Sequence, residues 1–112
     1  MNDALMAVPY DKAAEEGVLG CILLGAMEEA LRGGVNEDSF YDVQNKKIWN
    51  ACYDLFEQKL EINETNIDTK AGKGLLFYLT ELPDKAPTKS NIAFWLPVLK
   101  ALEARRKAFY IA

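Results

Sequence analysis

Residues 15–24 read EEGVLGCILL, an apolar run that holds Gly17 and Gly20 three residues apart. Val18, Leu19, Ile22 and Leu23 repeat at helical spacing, while Cys21 and Leu24 carry apolar character round most of the remaining circumference. A helix with no polar face must lie at the centre of whatever forms. Each glycine costs up to about 1 kcal/mol against alanine inside a helix, a loss that close backbone approach of a crossing helix offsets. Gly17 and Gly20 are therefore expected to mark helix crossings. With Pro9 ahead and Gly33-Gly34 behind as start and stop signals, this helix is predicted over Asp11–Leu31.

The rest of the chain also reads as helix. Asn36 stands as a cap before the acids and aromatics of NEDSFYD, which predicts a short helical turn pinning Phe40 into the core. From Gln44 to Lys59 an apolar stripe of Ile48, Trp49, Cys52, Tyr53, Leu55, Phe56 and then Leu60 lies opposite Lys46, Lys47, Asn50, Asp54 and Glu57, and reads as core. One turn is expected near Thr65–Lys70, then a short helix in LLFYLTEL stopped by Pro83. Pro87, Thr88 and Ser90 open a last helix in which Ile92, Trp95, Leu96, Leu99, Leu102, Arg106 and Phe109 share a face. Pro97 lies within it, so the helix either kinks there or begins its regular part nearer Trp95. No alternation of strand period stands out. The expected fold is all-α, a small orthogonal bundle of five or six helices, with a last helix whose C-terminal half has no core left to cover.

At 112 residues, half of them hydrophobic and 27% charged, the chain has the balance of one globular domain with a single core. No apolar run reaches the roughly 18 residues of a membrane span, and the opening MNDALMAV lacks the basic flank of a secretory signal, so a cytoplasmic protein without membrane contact is expected. Cys21 and Cys52 fall among apolar residues and read as buried free thiols. The absence of histidine removes imidazole acid–base catalysis, nucleophile triads and His-containing zinc sites together. Ala71-Gly72-Lys73-Gly74 lacks the glycine spacing and the following Ser/Thr of a phosphate-cradling loop. The adjacent acids Glu15-Glu16 and Glu28-Glu29 lie about 100° apart on a helix and read as solvated faces. No catalytic residue, metal ligand or cofactor site is expected, and what remains is an interaction domain.

The formal net charge of −4 argues against holding nucleic acid mainly by neutralising phosphates. Residues 100–107, KALEARRK, nevertheless gather Lys100, Arg105, Arg106 and Lys107 against one acid, Glu103. They read either as a solvated helix end that complements the C-terminal dipole or as a nucleic-acid contact.

Three stretches together resemble the N-terminal domain of the DnaB-type replicative DNA helicases of bacteria, phages and plasmids. PYDKAAEEGVLGCILL is similar to that family's opening, a proline and short spacer before E-A-E-x-x-V-L-G, matched at Ala14, Glu15, Val18, Leu19 and Gly20, with Ala13 in place of the first Glu. EDSFYDVQNKKIWNACYDLFEQKLEIN resembles its D-x-F-Y and H-x-x-I-F, matched at Phe40, Tyr41, Ile48 and the aromatic Trp49, with Asn45 in the histidine position. FYLTELPDKAPTKSNIAFW resembles Y-L-x-x-L and T-P-S-x-x-N-I-x-x-Y, matched at Tyr78, Leu79, Leu82, Pro87, Asn91 and Ile92, with Trp95 in the tyrosine position. The likeness spans residues 8–110. The segment from Glu64 to Gly74 is shorter than in typical members, and Pro97 interrupts a helix that is usually continuous.

The resemblance implies a globular head, residues 1–88, followed by the first arm of a helical hairpin, residues 89–112. The family's motor domain, where ATP and magnesium would bind, is absent, so the chain reads as a fragment or a stand-alone relative of an ATP-dependent DNA helicase. In the family such heads and hairpins pair with themselves, as dimers within a trimer of dimers, to form the collar of a hexameric ring in DNA replication. The hairpin docks primase, helicase loaders act on the assembled ring, and contact with single-stranded DNA is weak or indirect. The implied function is thus a non-catalytic oligomerisation and primase-docking domain. Trp95, Leu99, Leu102, Phe109 and Tyr110 are the candidate partner surface, with Phe109 and Tyr110 foremost because Trp95 and Leu99 equally suit the head's own core. The alternative is a small helical nucleic-acid binder that uses Lys100, Arg105, Arg106 and Lys107.

Overall fold

Helix ends set the shape of this chain, and three of them use one device. The computed structural model describes residues 8–111; the opening MNDALMA and Ala112, on which the reading of the N-terminus as lacking a signal partly rests, lie outside the described residues. Helix α1 (Lys12–Leu23) closes with the Gly25 amide on the Ile22 carbonyl and the Ala26 amide on that of Cys21, both at 3.0 Å, with Gly25 at φ +110°. This paired closure satisfies the last carbonyls and turns the chain sharply. It ends α1 at Leu23 rather than at the expected Leu31, because Gly25 adopts a left-handed conformation that a helix cannot continue through. Helix α2 (Met27–Arg32) ends the same way on Gly34, and α3 (Val43–Glu57) on Lys59, whose φ of 58° is a conformation that glycine takes more easily.

The starts are capped by side chains. Asp11 accepts from the Ala13 amide, Asp42 from those of Gln44 and Asn45, and Asn63 from that of Asn66. Asn36 caps a 3-10 turn over Glu37–Ser39, with Ser39 Oγ accepting in return from the Asn36 amide, and the turn seats Phe40 fully in the core. Helix α4 (Glu64–Ala71) leads to α5 (Leu76–Glu81), which tightens into a 3-10 turn over Leu82–Lys85 where Pro83 needs no donor. A further 3-10 turn, Lys89–Asn91, feeds α6 (Ile92–Ile111).

The fold is all-α. Helix α1 lies at its centre, with Val18, Leu19 and Ile22 packed among Phe40, Ile48, Leu55, Leu79, Leu82 and Leu99. Both interior glycines of α1 sit beneath other segments. A Cβ on Gly17 would meet the Trp95 indole of α6 at 2.5 Å, and one on Gly20 would run into the Leu82 carbonyl oxygen. At Gly20 the neighbour is therefore a 3-10 turn, not the crossing helix that was expected. The α3 stripe also needs correction, since Ile48, Trp49, Cys52 and Leu55 are buried but Tyr53 and Leu60 are exposed. Cys21 and Cys52 are free, and burial pushes their thiols up to about 11 and about 12, so both stay protonated and unreactive at neutral pH.

Helix α6 runs unbroken through Pro97. The ring removes the donor for the Ala93 carbonyl, but Ala93 and Pro97 both face solvent, so water can take that acceptor. Pro97→Ala is expected to raise stability by about 1–3 kcal/mol, read as a higher urea midpoint at unchanged slope. A lower midpoint would show that the ring makes a contact worth more than the missing bond. At 20 residues α6 is about 30 Å long in a molecule of 46 × 28 × 25 Å, and its far end outruns the core.

Candidate docking surface and the buried ties behind it

Helix α6 is fastened to the head by three of its own charged side chains. Glu103, almost fully buried, accepts from Ser39 Oγ at 2.8 Å and from Lys100 Nζ at 2.6 Å, while its other oxygen pairs with Lys107 Nζ at 2.9 Å. Lys100 Nζ also donates to the Gly34 carbonyl at 2.7 Å. Arg106, 6% exposed, donates to the carbonyls of Pro9 and Asp38 at 3.1 and 2.8 Å and lies over the Tyr41 ring. Three of the four nucleic-acid candidates are thus engaged inside the molecule. Arg106 is corrected from a phosphate contact to a buried structural tie, and Lys100 and Lys107 are tied to Glu103. Arg105 alone of the four bonds to no described residue.

Burial by itself would raise the Glu103 carboxyl, but hydrogen bonds from Lys100, Lys107 and Ser39 together with the Lys100 charge outweigh it and hold the group at about 2, below its ordinary 4.5. A carboxyl depressed on folding contributes stability that is full above about 4.5 and is lost as pH falls toward about 2. The loss over that window is expected to be on the order of 2 kcal/mol. Urea midpoints from pH 7 to pH 2 should therefore fall more steeply for the wild type than for Glu103→Gln. Parallel curves would deny Glu103 this part.

The partner-surface candidates divide. Leu99 is 1% exposed and belongs to the core, so its assignment to a partner is corrected: it closes the head opposite α1. Trp95 and Leu102 are half-buried, with the Trp95 indole covering Gly17. Phe109 and Tyr110 are exposed, Tyr110 at 67%, and their rings meet edge to face 5.6 Å apart. Sequence reading missed Phe94, 66% exposed on α6, and Phe77 on α5. Phe94 stands next to Trp95 in the sequence but off the shared face, a signal that helical spacing alone offers.

A second buried polar cluster lies at the head of α1. Glu15, read from sequence as part of a solvated face, is 1% exposed. Its Oε2 accepts from the Tyr41 amide at 2.7 Å, and its Oε1 from the Asp42 amide at 3.3 Å and Asn45 Nδ2 at 2.9 Å. Tyr78 Oη donates to Asn45 Oδ1 at 2.7 Å and reaches Glu16 Oε2 at 3.4 Å. Burial, with the nearby Glu16 and Asp42 charges, raises the Tyr78 phenol well above its usual range. Both acids of the Glu15-Glu16 pair thus face inward: the backbone before α3 turns its Tyr41 and Asp42 amides to Glu15, and the Tyr78 hydroxyl reaches Glu16.

Outside the core, a cleft of about 460 Å³ opens between the end of α6 and the segment from Asp38 to Lys46. Phe40, Tyr41 and Tyr110 line it together with Lys46, Glu103, Arg106 and Lys107.

Among the described residues five further helices close round α1, and the last carries apolar side chains beyond the core, which defines a small all-α head with a projecting terminal helix. The crystal structure of the N-terminal domain of DnaB helicase from Mycobacterium tuberculosis has this fold, matching at a TM-score of 0.82 over 93% of this chain and 81% of that one, at 22% identity. Residues 7–101 match the DnaB-like helicase N terminal domain, and the chain belongs to that family. It is also 28% identical, over 117 aligned residues and 96% of its length, to Replicative DNA helicase DnaC of Bacillus subtilis (strain 168). The alignment takes in 25% of that protein, so the chain spans about a quarter of its relative's length.

Proposed function

We propose that this chain is a non-catalytic assembly domain of a replicative DNA helicase, in which the free end of α6 pairs with a second copy and the paired heads build the collar of a hexameric ring. On this reading residues 89–112 are the first arm of a helical hairpin, the hairpin surface also docks primase, and a helicase loader meets the assembled ring. ATP and magnesium belong to a motor domain elsewhere in the parent, and the setting is cytoplasmic. The observation that carries the reading is the match to the helicase family together with Phe109 and Tyr110, two aromatic rings held in water by a helix that has run past its core. Among the described residues no helix is long and apolar enough to cross a membrane.

Sedimentation equilibrium over a concentration series tests it. The wild type is expected to form a reversible dimer, and the double change Phe109→Ser with Tyr110→Ser should weaken pairing at least about tenfold, or roughly 1.4 kcal/mol. The fold should be nearly untouched, with stability within about 0.5 kcal/mol, because both side chains are exposed. A monomer at every concentration, or a dimer indifferent to both changes, would remove the pairing role from this end of α6.

A further inference from the structure

The turn after α4 is covered by no other part of the domain. Gly72, Lys73 and Gly74 take φ of 102°, 68° and 91° in succession, and a Cβ on either glycine would meet nothing within 4 Å. The turn thus carries a lysine at a backbone conformation that glycine adopts at less cost. Between this turn and the start of α3 opens a cleft of about 420 Å³, in which Val43, Ala71 and Leu75 supply apolar wall and Lys47 and Lys73 supply charge. Neither lysine forms an ion pair with the described residues, and no carboxylate lines the cleft. The acids that flank it in sequence are turned to backbone amides, Asp42 to those of Gln44 and Asn45 and Asp68 to that of Leu75. The cleft beside α6 differs in this respect, because Asp38 and Glu103 stand there among the cations. Apolar surface continues from Leu75 into Leu76 and Phe77 at the start of α5, with Phe77 79% exposed.

We propose that this cleft docks a short acidic segment of a partner protein, with one Leu or Phe lodged against Val43, Ala71 and Leu75 and its flanking carboxylates paired with Lys47 and Lys73. On a domain of net charge −4, two unpaired cations beside an apolar wall are complementary to carboxylates beside an apolar side chain. The volume falls within the roughly 300–1,000 Å³ of ligand clefts. Single-stranded nucleic acid suits the site less, since affinity for a phosphate chain grows with the number of phosphates neutralised, and two lysines on an acidic domain neutralise few. The cleft shares no residue with the end of α6, so it stands or falls independently of pairing through Phe109 and Tyr110.

The test is fluorescence anisotropy of the whole chain with short labelled peptides that carry a central Leu or Phe flanked by Asp or Glu among Ser and Gly. Saturable binding of this acidic pool is expected, at least about tenfold tighter than that of a pool with Lys in place of the acids. Lys73→Gly should weaken it about fivefold while the fold is kept, because the φ of 68° suits glycine. Lys47→Glu should weaken it about tenfold. Arg105→Glu alters net charge by the same amount but on α6, and should bind as the wild type does, as should the Phe109→Ser, Tyr110→Ser double variant. Circular dichroism checks that every variant is folded. The proposal is overturned if the acidic pool fails to bind at about 1 mM, the weak limit of specific recognition. It is equally overturned if the Lys pool or a single-stranded oligonucleotide binds as tightly, if either Lys73→Gly or Lys47→Glu binds like the wild type, or if Arg105→Glu loses as much as Lys47→Glu. Self-association that falls with Lys73→Gly in sedimentation would also overturn it, by making a second copy the occupant.

Discussion

Gly20→Ala is expected to destabilise the domain by about 3 kcal/mol or more, and to lower the thermal midpoint on the order of 15 °C. The added methyl has nowhere to go. It would be driven into the Leu82 carbonyl oxygen and would press the Ala86 side chain at 3.3 Å, so the 3-10 turn over Leu82–Lys85 must lift off α1. Backbone held in a turn yields less than a side chain does, and both Leu82 and Ala86 are fully buried. Gly17→Ala provides the internal comparison, because there the clash is with the half-buried Trp95 ring, which can tilt toward solvent. It should cost roughly half as much. Equilibrium urea unfolding of the two variants decides the matter: if Gly20→Ala loses less than 1 kcal/mol, the turn is softer than its packing implies.

Glu15→Ala is the second large effect, with an expected loss of about 3–5 kcal/mol. The change removes the acceptor from the Tyr41 and Asp42 amides and from Asn45 Nδ2, leaving buried donors next to a cavity. It also takes a negative charge from the N-terminal end of α3, where that charge is favourable. Glu15→Gln keeps the volume but must turn an NH₂ group toward donors, and about 2 kcal/mol should be lost. Asn45→Ala should lose less in the Glu15→Ala background than in the wild type, since the two share one network. Additive losses, or a Glu15→Ala variant as stable as the wild type, would mean that water replaces the carboxylate.

These two residues also show how far the sequence could be read. Gly17 and Gly20 announced close approach because a glycine inside an otherwise apolar helix has little other use. What approaches them, an indole and a carbonyl oxygen, depends on segments more than 60 residues away, and local spacing carries no trace of that. Glu15 was misread because two adjacent acids normally lie on a wet face. The contrary signal was present, since a helix apolar all round leaves no wet face for them. The break at Gly25 was likewise hidden within a periodicity that α2 resumes two residues later. On α6, helical spacing placed Leu99 and Arg106 on one face, and that face proved to be the buried one. An arginine at the margin of an apolar stripe reads as solvent-facing until the carbonyls of Pro9 and Asp38 are known to be waiting for it. The uncovered end of α6 was legible from length alone.

The fastening of α6 has a mechanical consequence. Its side chains grip the head at Gly34, at Ser39 and Asp38, and at Pro9, while Leu99 is locked in the core between them. From Leu99 to Arg106 the helix is held to the head at every turn. A sideways force on Phe109 or Tyr110 is therefore passed to the loop from Gly34 to Ser39 through Lys100, Glu103 and Arg106. The head must turn with the helix, so whatever grips that far end also sets the direction in which the whole domain points.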